Sequence, residues 1–199
     1  MNPSIKIPTD MVDNILPDPA LSIPDFLWFE LPIITMTKGS YKLNDFLSPL
    51  PPTTVDPTII RKIPTPPIAT VKALAAACLA GGGEGMSILC PHVASSSARH
   101  LPMWVVTYWS EDVNLRTKFC APWVRAEKKL NAKQQVWSKK QPEETYSLVN
   151  EVLDALGTLS WSGTIHGFGD EEPMFKLATY ATQDWLSTVH ENQMLDLLR

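Results

Sequence analysis

Proline governs what this chain can build. Thirteen of its 18 prolines fall within the first 67 residues. Each one fixes φ and removes a backbone donor, so a segment this dense in proline holds neither a long helix nor a central strand. Residues 1–68 are therefore expected to be mostly extended, with polyproline-like patches at Pro49-Leu50-Pro51-Pro52 and Pro64-Thr65-Pro66-Pro67. The segment is not uniformly polar. Phe26-Leu27-Trp28-Phe29 and Leu31-Pro32-Ile33-Ile34 are apolar enough to dock on the rest of the chain or on a partner.

Past residue 68 the pattern turns helical. Ala69 to Leu79 is rich in alanine, the residue of best helix propensity, and Gly81-Gly82-Gly83 ends the run. Ser87 to Cys90 reads as a short strand or a turn. Pro102 opens the next helix, where its missing N–H costs nothing. Trp104, Val105, Tyr108, Trp109 and Val113 follow at helical spacing on one face. Pro122 starts or kinks a further helix with a buried stripe of Phe119, Trp123, Ala126, Leu130 and Trp137. Pro142, Glu143 and Glu144 form the front of another, whose dipole favours carboxylates in the first turn. Its inward face is Leu148, Val149, Val152, Leu153 and Leu156, and Gly157 stops it. Leu159 to Gly169 is expected as a turn or short strand. Helices are expected from about Glu172 to Thr182, capped by Asp170, and from about Thr188 to the end. The fold is thus expected to be mainly α, a helical domain of four to six helices over residues 69–199 with an extended Pro-rich segment before it. Its core would be Trp104, Tyr108, Trp109, Trp123, Leu130, Leu153 and Trp185.

Several functions are disfavoured early. The longest apolar run, Ala73 to Ala80, is far short of the ~20 residues that span a bilayer. The first residues show no basic start followed by an apolar stretch, so no secretory signal is expected. Three cysteines, Cys78, Cys90 and Cys120, without framework spacing suit a reducing compartment. An intracellular location follows as the expectation, cytoplasmic or nuclear.

Chemistry finds little to work with. Cys90-Pro91-His92 with His100 is the one Cys/His cluster, and it falls short of the four close ligands zinc wants. Cys90 and His92 stand at i, i+2, so on a strand they share a face; an unrecognised cysteine hydrolase built on them is the enzymatic alternative. The Gly81–Gly85 run follows a helix and carries Glu84 where a phosphate loop needs a cation, so it reads as a helix stop. No metal, cofactor or catalytic set is expected, and the chain is not read as an enzyme.

Charge is uneven although the net is only −4. Residues 99–140 hold nine basic and three acidic side chains, while residues 141–199 hold two basic and ten acidic. Packing of the two stretches on each other accounts for this. The alternative is that a basic face, Arg116, Lys118, Arg125, Lys128, Lys129 and Lys133, meets an acidic partner or nucleic acid. The neighbouring aromatics sit at core spacing, which gives a base-stacking platform little support.

The last stretch, Trp185-Leu186-Ser187-Thr188 and the Leu-rich helical pattern to Arg199, resembles the opening motif of the SUMO/ubiquitin-like protease family, papain-like cysteine proteases. Upstream, His100-Leu101-Pro102-Met103-Trp104 through Trp109, with Trp123 and Ala126, is similar to the region before such domains in proteins of mushroom-forming fungi. The resemblance covers about residues 70–199. In that family the catalytic His, Asp, Gln and Cys all lie well downstream of the Trp-Leu pair. This sequence ends 13 residues after Leu186, so the resemblance implies a non-catalytic accessory region that acts by protein binding. The implied partner is a ubiquitin-like protein or the protease domain itself; nucleic acid is the alternative and a membrane is not expected.

Overall fold

The structure, a computed structural model, describes residues 5–34, 43–81, 85–90, 100–137, 139, 142–166, 171–182, 191, 194, 195 and 197. The protein is mainly α. Seven α-helices are described, α1 (Thr9–Ile15), α2 (Ile23–Trp28), α3 (Pro57–Lys62), α4 (Ile68–Gly81), α5 (Val105–Asn114), α6 (Ala121–Trp137) and α7 (Pro142–Thr158), and the last four form the stretch where four to six are expected. The additional ones are α1, α2 and α3, six or seven residues each, and they stand in the segment expected to be extended. Proline limits helix length but suits the first turn. Pro24 and Pro57 occupy that turn of α2 and α3, and Ser22 and Asp56 cap it by accepting from the backbone N–H of Asp25 and Thr58.

The chain forms two compact units, and the division does not fall at residue 68. One unit is Met1–Leu16 with Glu30–Leu115; the other is Pro17–Phe29 with Arg116–Arg199. The reason is burial: the apolar residues between the prolines are core rather than linker.

In the first unit Ile5, Ile7, Ile15, Phe46, Val55, Ile60 and Ile63 join Leu74 of α4 and Tyr108 and Trp109 of α5 in one apolar cluster. Three short antiparallel strands, β1 (Leu47–Ser48), β2 (Ser87–Leu89) and β3 (His100–Leu101), lie in the order β1-β2-β3, with Ile88 opposite both Leu47 and Leu101. Gly85 turns the chain into β2 at φ +73°, a conformation L side chains avoid. Inside this unit the Thr65 hydroxyl donates to a carboxylate oxygen of Asp112 at 2.6 Å, and both residues are buried. The pair satisfies polar groups that burial would otherwise penalise.

Asp56 supplies a pH-dependent element. The Thr58 hydroxyl, and then its backbone N–H, donate to the Asp56 carboxylate and hold it below the usual carboxylate range. A depressed folded value means the contribution is present at neutral pH and is lost as pH falls through that value. Asp56→Asn keeps a capping side chain but removes the titration. Its urea midpoint is expected to fall less than that of the parent between neutral pH and pH below the carboxylate range.

The longer segment of the second unit opens in a π-helical stretch, Leu115–Cys120, and continues through α6 and α7. The antiparallel pair β4 (Thr164–Ile165) and β5 (Glu172–Pro173) follows. A 3-10 helix, Met174–Ala181, takes the place of the α-helix expected from Glu172. The Pro17–Phe29 segment is tied in by backbone bonds from Ile23 N–H to Leu159 O (3.0 Å) and from Trp161 N–H to Leu21 O (3.1 Å). The Trp161 indole N–H donates to Asp18 O at 2.9 Å, and its ring stacks on Phe26 with centroids 4.2 Å apart. Phe119 meets Trp161 and Phe175 edge-on, which extends the aromatic cluster.

Burial corrects part of the expected core. Trp104, Tyr108, Trp109 and Trp123 are buried as expected. Leu130 is only half-buried, and on α7 the expected inward residues divide. Val149 is buried, whereas Leu148 is 54% and Leu153 37% exposed. A single helical stripe cannot bury residues at i, i+1, i+4 and i+5 against one neighbour unless a second neighbour covers the flank. Trp185 and the helix expected from Thr188 lie outside the described residues, apart from a few isolated positions, as does the Asp170 cap.

Candidate protein-binding groove

A groove of about 300 Å³ opens in the second unit between three helices. The wall from α2 supplies Ile23, Pro24, Leu27 and Trp28; α6 supplies Trp123, Val124, Ala126, Glu127 and Leu130; α7 supplies Leu153 and Leu156. Ten of these eleven side chains carry no charge, Glu127 being the exception. Helix phase explains the arrangement. Ile23 and Phe26, three apart on α2, point into the unit and are buried, which leaves Leu27 and Trp28 to face the opening. On α6, Trp123 and Ala126 are buried and Val124 lies at the edge. Leu153 and Leu156 stand one and two turns beyond the buried Val149 on α7.

Trp28 is the outlying feature. It is 85% exposed, although tryptophan is among the side chains that gain most from leaving water. Lone exposed apolar residues are ordinary on protein surfaces; here Trp28 rims a concavity whose other walls are also apolar and partly open. The Trp123 indole N–H, in the same wall, is buried without a hydrogen-bond partner among the described residues.

The basic residues expected to form a binding face are placed differently. Arg125, Lys128 and Lys129 are exposed on α6, and Lys133 is half-buried. At about 100° per residue Arg125 and Lys129 fall on the side of α6 away from Trp123 and Glu127, whereas Lys128 stands one turn beyond Val124 and Lys133 two turns beyond Ala126, both groove residues. Arg116 and Lys118 precede α6 in the π-helical stretch. The Lys118 ammonium lies 5.4 Å from the Phe119 ring centroid and 5.5 Å from that of Phe175, within cation–π range. The groove lining contains none of these basic residues, although Lys128 and Lys133 adjoin it along α6. A sequence signal for the groove existed in Phe26-Leu27-Trp28-Phe29, but which of the four faced out depended on the phase of α2. Val124 stood outside every expected stripe, and Leu153 and Leu156 looked like ordinary core.

A wider depression of about 630 Å³ in the first unit is lined by Glu30, Leu31, Pro32, Ile33, Thr58, Arg61 and Lys62. Its charges are of both signs, from Glu30, Arg61 and Lys62. The Cys90 side chain is 1% exposed at the end of β2, and a thiol needs access to act as a nucleophile. His92 lies outside the described residues. Burial also pushes the Cys78 thiol up, away from the thiolate. Ser87 and His100 are linked, Oγ to Nδ1 at 3.2 Å, with Ser87 fully buried inside the small sheet. Among the described residues no three of His, Cys, Asp and Glu gather as a metal site. No described helix is long and apolar enough to cross a membrane. Trp185 and Leu186, the residues carrying the protease resemblance, lie outside the described residues.

No protein-family model matches the chain, and comparison with curated proteins and with solved structures finds no match.

Proposed function

We propose that this chain acts by binding another protein, without catalysis of its own, and that it is related to the N-terminal region of a ubiquitin-like-protein protease. The observation that carries the binding reading is the groove: three helices surround an open apolar concavity with Trp28 standing at its rim. Tryptophan is the residue type most often found as an interface anchor, worth roughly 2 kcal/mol or more when truncated. The kinship rests on the Trp185-Leu186 motif in the sequence.

The test is a titration of the full chain with a labelled ubiquitin-like protein and with a catalytic domain of the protease family, followed by fluorescence anisotropy. Binding to at least one is expected, weakened about thirtyfold in Trp28→Ala. Binding that ignores Trp28 removes the groove from the reading, and binding to neither partner removes the kinship.

A second reading, nucleic-acid binding, is favoured by one observation: Arg125, Lys128 and Lys129 are exposed together on one side of α6. Each phosphate neutralised on a duplex contributes about −0.9 to the slope of log K against log salt. A gel shift at low salt that disappears with rising salt, and in Lys128→Glu/Lys129→Glu, supports this reading. No shift at low salt ends it.

A further inference from the structure

We draw no further inference here: the strongest candidate, the apolar groove between α2, α6 and α7, has Glu127 as the one charge on its lining, and nothing in the structure shows what covers it.

Discussion

Trp161→Ala is expected to destabilise the second unit by roughly 3–5 kcal/mol, the range for a large aromatic truncated in a core. Three separate contacts disappear together: the stack on Phe26, the edge contact with Phe119, and the indole hydrogen bond to Asp18 O. The stack and the hydrogen bond matter beyond their sum because they fasten the Pro17–Phe29 segment, which carries α2, to a residue more than 130 positions later. Backbone bonds at Leu21 and Ile23 remain but lose the side chain that shields them. Groove-dependent binding should therefore fall along with the urea midpoint. Trp161→Phe retains ring contact and loses the hydrogen bond, so a cost of only about 1 kcal/mol is expected. Equal midpoints for Trp161→Ala and the parent would mean the aromatic cluster does not hold the segment.

Trp109→Ala and Trp28→Ala separate stability from binding with the same residue type. Trp109 is completely buried in the first unit, and its truncation leaves a cavity costing roughly 3–5 kcal/mol. Trp28, in the second unit, has little native packing to lose, and its truncation should shift stability by no more than about 0.5 kcal/mol. Binding should show the reverse for Trp28, with the largest loss for the smallest change in stability. Urea unfolding of the two variants beside the parent checks the first contrast, and anisotropy checks the second. A Trp28→Ala variant as unstable as Trp109→Ala would make Trp28 a structural residue and leave the groove without its anchor.

The helical middle of the chain is legible because its cues are local. Pro102, Pro122 and Pro142 each stand at or just ahead of a helix, and the apolar spacing of Trp104, Tyr108 and Trp109 marks the face that is buried. The candidate site is less legible. The basic residues of α6 were visible as a stripe, but the groove beside them depended on which side of α6 its neighbours covered. Leu153 and Val149 carry the same signal in a sequence, since both continue a helical apolar stripe. Only packing distinguishes them, burying Val149 and leaving Leu153 partly open.

The proline-rich segment shows the division most clearly. By itself the sequence determined that no long helix forms among the described residues there and that α4, α5, α6 and α7 follow, because helix length, capping and periodicity are set by residues within a few turns. Tertiary structure decided that Ile5, Ile15, Phe46 and Ile60 are core, that Pro17–Phe29 belongs with residues beyond 116, and that Trp28 faces out. Those outcomes rest on contacts between residues far apart in the chain. Apolar burial has no preferred direction along a sequence, so proline spacing could limit the local conformation but could not choose the distant partners.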